Sequence, residues 1–144
     1  MAPGSRRKAR GFALQVLYAR DVDRATDVGG ALGVWGASFE LDVDEPAHQF
    51  ATELVTRSVE ELAAIDEVIA SASRNWRLER MSRVDRNILR LAVCELRSFT
   101  QTPVKVVINE AVELAKRFGT AESPAFVNGI LDRIAAGLGR SSES

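Results

Sequence analysis

The stretch from Ser82 to Phe99 constrains this chain most, because it has too many apolar positions for a helix lying on a surface. Val84, Ile88, Leu91, Ala92, Val93 and Leu96 cover a broad arc at about 100° per residue and leave a narrow polar remnant. Such a helix has to be surrounded, so the spacing predicts a central helix in an all-α bundle. Ser82 followed three residues later by Asp85 resembles a capping box with a shortened acid. Thr102-Pro103 marks the next break, since the residue before a proline disfavours the helical region.

The remaining periodic segments also read as helices. One runs from Ser5 to Val22, with Phe12, Ala13, Val16 and Leu17 on its inner face and Leu14 and Tyr18 forming a second strip. Glycines 29, 30, 33 and 36 each cost a helix interior about 1 kcal/mol, so Thr26–Asp44 reads as a broken helix or loop around Trp35 and Phe39. Pro46 suits a first turn, and Phe50, Leu54 and Val55 carry that helix to about Arg57. Leu62, Ile65, Val68 and Ile69 mark another. A helix from about Val106 to Phe118 is expected to stop at Gly119 as a left-handed cap, with Glu113 and Arg117 paired on its surface. Ser123-Pro124 reads as N-cap and first-turn proline of a last helix, with Phe126, Val127, Ile130, Leu131 and Ile134 as its apolar stripe. The expected whole is a single domain of about seven helices in two packed halves, 1–60 and 61–136, with a frayed tail at 137–144.

Composition excludes several kinds of chemistry. A chain of 144 residues, 46% hydrophobic and 27% charged, can bury a real core. Its one cysteine, Cys94, allows no intramolecular disulfide and no multi-cysteine zinc site, and its one histidine, His48, lies far away in sequence. No nucleophile–base pair, metal-ligand set or cofactor motif stands out. The glycines at 29–36 lack the strand and lysine of a phosphate loop. Without an apolar span or leader, the expectation is a reduced, cytoplasmic protein that is not an enzyme.

The net charge of −1 hides a segregation: residues 1–20 carry +5, residues 21–69 carry −10 and residues 70–144 carry +4. A field divided this way attracts a polyanion at one place and repels it at another. Arg6, Arg7, Lys8 and Arg10 crowd the first helix start without an intervening acid, a pattern suited to phosphates and unpaired RNA bases. Arg83, Arg86, Arg90 and Arg97 fall within about 60° at helical spacing, either a binding stripe or a solvated face. Phe126 reads either as a stacking residue beside Glu122 and Ser123 or as core. The acids at 40–45 and 60–67 read as solvated faces rather than as catalytic or metal carboxylates.

Arg6-Arg7-Lys8-Ala9-Arg10, the helix through Ala13, Gln15, Leu17 and Tyr18, and Val84-Asp85-Arg86-Asn87-Ile88-Leu89-Arg90 occur in an order that resembles the NusB family. So does the block from Pro103 through Asn109-Glu110-Ala111 to Gly119, followed by Ser123-Pro124-Ala125-Phe126-Val127-Asn128-Gly129-Ile130-Leu131-Asp132. The similarity spans the chain except residues 22–45. It implies a helical transcription antitermination factor that pairs with the ribosomal protein NusE, binds single-stranded boxA RNA of nascent leaders and joins the RNA polymerase antitermination complex. By position it implies RNA contacts at Arg6, Arg7, Lys8 and Arg10, with Tyr18, Glu122 and Phe126 as further candidates. It implies a NusE-facing surface at Glu79, Asp85 and Arg90. Ala125 departs from the basic residue many relatives carry beside the phenylalanine, and residues 29–36 depart from a better-formed second helix. The same module begins a family of ribosomal RNA cytosine methyltransferases, whose Rossmann-like catalytic domain this chain is too short to hold. A detached module of that kind and a helical adaptor without RNA affinity are the alternatives, and both a monomer and a homodimer stay open.

Overall fold

The computed structural model describes residues 4–23, 45–74 and 76–140, and every regular element among them is helical. Six α-helices result: α1 (Ser5–Val22), α2 (Glu45–Glu60), α3 (Leu62–Ala72), α4 (Arg83–Ser98), α5 (Val104–Phe118) and α6 (Ser123–Gly137). A short 3-10 turn, Leu78–Arg80, precedes α4. The expected broken segment at Thr26–Asp44 lies outside the described residues. Packing divides the chain into two compact units, Met1–Glu60 and Glu61–Ser144.

In the first unit α1 packs on α2. Phe12, Ala13, Val16 and Leu17 are buried as their spacing requires, together with Phe50, Ala51, Leu54 and Val55. On the second strip Leu14 is buried as well, whereas Tyr18 is 40% exposed. His48 lies half-buried on α2 with its ring 6.2 Å from that of Phe12.

In the second unit α4 touches α3, α5 and α6. From Asn87 to Leu96 every residue except Arg90 is buried, as the broad apolar arc demands. Ser82 caps the helix: its hydroxyl accepts the Asp85 amide at 3.1 Å, satisfying one donor of the first turn. Cys94 is a free, buried thiol inside this helix. No helix is long and apolar enough to cross a membrane among the described residues.

Two glycines exchange the roles their positions suggest. Gly119 is not left-handed; its φ of −96° and ψ of −165° are open to any residue. What it needs is space, because a Cβ would stand 2.9 Å from the Ala115 carbonyl and closer still to the Ser123 side chain. Ser123, in turn, is not the N-cap but the first residue of α6, and its hydroxyl accepts the Thr120 amide at 3.0 Å. The left-handed stop is at Gly139, with φ of 74°. There the Arg140 amide bonds the Ala135 carbonyl and the Gly139 amide bonds that of Ala136, a Schellman closure. The tail is therefore ordered through Arg140, whose guanidinium donates to the carbonyls of Leu96 (2.6 Å) and Thr102 (2.9 Å). It satisfies an orphan carbonyl in the last turn of α4 and another beyond its end. Gly119→Ala is expected to cost about 1–3 kcal/mol by overpacking, even though its backbone angles suit alanine. Urea unfolding checks this; an unchanged midpoint would show that the α5–α6 corner yields.

Candidate nucleic-acid interface

The start of α1 is built against its own stability. Helix amino ends carry a partial positive charge and favour acids, yet the first turn contains none. Arg6, Arg7 and Lys8 occupy it instead, all exposed. The Arg6 guanidinium lies 4.5 Å from the centre of the Phe50 ring, a contact that steadies the side chain without neutralising its charge. Cations and dipole together would favour a polyanion at this end. Arg10 departs from the expected group: it is 5% exposed, turned toward the same Phe50 ring at 5.3 Å. Its position in the fold is that of a buried packing residue. Tyr18, 40% exposed, lies eleven residues beyond Arg7 and so on nearly the same helical bearing, about 17 Å along the axis.

The other candidates lie in the second unit. Glu122 is exposed at the N-cap position of α6 and makes no side-chain cap. Phe126 is only half-buried, so helical spacing misleads in placing it in the core. Its ring meets that of Trp76 edge-to-face, with centroids 6.0 Å apart and planes at 82°. Trp76, 55% exposed, is absent from every apolar periodicity in the sequence, and that isolation between Arg74 and Arg77 was the available signal.

The arginine stripe of α4 is neither a binding row nor a solvated face. Arg90 holds Asp66 of α3 through two bonds of 2.8 and 2.9 Å and adds a 3.2 Å bond to Asn87. Its side chain is 11% exposed, so the guanidinium expected on a partner surface is engaged with α3 and little of it faces solvent. Arg86 donates to the Leu78 carbonyl at 3.1 Å, fastening the 3-10 turn. Arg97 lies 3.4 Å from Glu61, an ion pair without an aligned hydrogen bond. Arg83 alone of the four is exposed. Glu79 is exposed on the turn, and Asp85 keeps one carboxylate oxygen without a hydrogen-bond partner among the described residues. On α5, Glu113 pairs with Lys116 at 3.4 Å, while Arg117 sits over the Phe118 ring. Among the described residues no group of three or more His, Cys, Asp or Glu is placed to hold a metal ion.

Comparison with known proteins agrees with this arrangement. The NusB family profile matches residues 7–136. The chain is 48% identical to transcription antitermination protein NusB of Sorangium cellulosum over 95% of its own length and 96% of that protein. It superposes on the NusB structure from T. maritima with a TM-score of 0.84 and 39% identity, covering 91% of this chain and 90% of that one. It superposes equally broadly, with a TM-score of 0.82 and 28% identity, on a structure of antitermination factors NusB and NusE in complex with double-stranded RNA, covering 94% and 99%. Identity at this level across both units, rather than a shared helical outline, decides the matter: the chain belongs to the NusB family.

Proposed function

We propose that this protein is a transcription antitermination factor without catalytic activity of its own. It pairs with NusE and binds boxA RNA in nascent leader transcripts, acting in the cytoplasm within the RNA polymerase antitermination complex on ribosomal RNA operons. The observation that carries the reading is the triad Arg6, Arg7 and Lys8, exposed at a helix amino end whose first turn holds no acid. The names of its relatives, and the solved relative assembled with NusE and RNA, support the same reading. Tyr18 is the adjoining candidate for base stacking, and Glu122 and Phe126 are those of the second unit.

Glu79 and Asp85 are the acids that suit a basic ribosomal protein. Arg90 contributes by positioning, since it clamps α4 to α3. Asp85→Lys is expected to weaken NusE pairing at least tenfold while leaving RNA binding of the lone protein intact. Asp85→Asn separates charge from capping, because the cap itself uses the Asp85 amide and the Ser82 hydroxyl. Equal damage to both activities by the lysine variant would contradict two separate surfaces.

The functional test is transcription past a terminator placed downstream of a boxA-bearing leader. Added protein and NusE should raise read-through, and mutation of boxA should remove the increase. Read-through that ignores the protein would contradict the proposal.

A further inference from the structure

The connection between α3 and α4 carries a feature the family reading leaves unused. Trp76, more than half exposed, is displayed on a turn fastened from several sides. Its amide bonds the Ser73 carbonyl at 3.0 Å. The buried Ser73 hydroxyl sits within hydrogen-bonding distance of the Ile69 (2.8 Å) and Trp76 (3.1 Å) carbonyls. Arg133 of α6 donates to the Ala72 carbonyl at 3.0 Å. Arg133 lies seven residues, two turns, beyond Phe126, so the same face of α6 holds the turn and supplies the ring that meets Trp76. An edge-to-face pair fixes one ring by another while leaving ring surface open to a third.

Charge indicates what that third ring belongs to. Arg74 and Arg77 flank the tryptophan, both are exposed, and neither makes an ion pair among the described residues. An aromatic plane between two unneutralised cations matches the repeat of a single nucleic-acid strand, with a base to stack and phosphates on either side. We propose that Trp76, braced by Phe126 and flanked by Arg74 and Arg77, is a stacking platform for an unpaired base of single-stranded RNA. The platform rests on the RNA-binding reading and adds to it a contact surface within the second unit.

The test measures binding of a short single-stranded boxA RNA across a salt series to wild type, Trp76→Ala, Trp76→Phe, Arg74→Ala/Arg77→Ala and, as reference, Arg7→Ala. Trp76→Ala should weaken binding about tenfold without changing the salt slope, because no charge is lost. Trp76→Phe should recover most of that loss. The double arginine variant should instead make the slope of log affinity against log salt shallower by about 1.4, at about 0.7 per phosphate contact of a single strand. Circular dichroism and melting of the alanine variant should match wild type, as expected for a side chain more than half exposed. Wild-type affinity in Trp76→Ala beside a loss in Arg7→Ala would overturn the platform and leave the RNA-binding reading standing. Loss of NusE pairing in place of RNA binding would make the surface a protein site. Absence of RNA binding by wild type would remove both readings together.

Discussion

Replacing Asp66 with alanine is expected to destabilise the second unit by about 2–3 kcal/mol, more than a surface ion pair is worth. The Arg90 guanidinium reaches Asp66 through two bonds, and the side chains are only 11% and 24% exposed. Exposed pairs contribute about 0–1 kcal/mol, whereas breaking a buried pair costs about 3–5 kcal/mol because one charge stays behind without its partner. This pair lies between those limits. Asn87 would remain as an acceptor for one donor, 3.2 Å away, and limits the loss. Urea unfolding should show a lowered midpoint with an unchanged slope. Replacing both partners, as Asp66→Leu/Arg90→Met, should recover part of the loss, since no charge is then stranded. A change below about 0.5 kcal/mol in Asp66→Ala, the range of ordinary surface substitutions, would mean that Arg90 is not held as described and would return it to the partner surface.

Arg90 also illustrates what could be read from the sequence and what could not. Apolar spacing and caps are local, so α1 is legible as Ser5–Val22 and α4 with its Ser82 cap is legible from its own residues. The direction of a long cationic side chain is not local. Arg90 finds its acceptor 24 residues away and Arg140 finds one 44 residues away. Arg10, two residues beyond an exposed triad in a run of like residues, turns inward onto Phe50 from another helix. Gly119 and Gly139 each follow a helix, and only the neighbouring Ser123 side chain and the sign of φ separate their roles. Three of the four cations expected at the first helix start are exposed there. The Trp76 platform depends on α6 meeting the α3–α4 connection, a juxtaposition no periodicity reports.

The triple variant Arg6→Ala/Arg7→Ala/Lys8→Ala is expected to lower RNA affinity about a hundredfold near 0.1 M salt, and to make the salt slope shallower by about 2. Both figures follow from three single-strand phosphate contacts, each releasing about 0.7 of a counterion. Stability should change little compared with affinity, because relief of the unfavourable interaction with the helix dipole, about 0.3–1 kcal/mol per cation, offsets the loss of the Arg6 contact with Phe50. Arg10→Ala should behave in the opposite manner. It removes a 5% exposed side chain from against Phe50, so it should lower the melting temperature and leave the salt slope near that of wild type. A shallower slope in Arg10→Ala with unchanged stability would place that arginine back among the phosphate contacts.

The most direct measurement is the affinity for a short boxA RNA and for a scrambled control of equal length, each with and without NusE, across a salt series. A duplex of the boxA sequence is the informative competitor, because the solved relative was captured on double-stranded RNA. Tighter binding to single-stranded boxA than to the control, sharpened by NusE and falling with a log–log slope near −3 for about four phosphates, is the predicted result. Equal, weak binding to both RNAs, unmoved by NusE, would contradict the account.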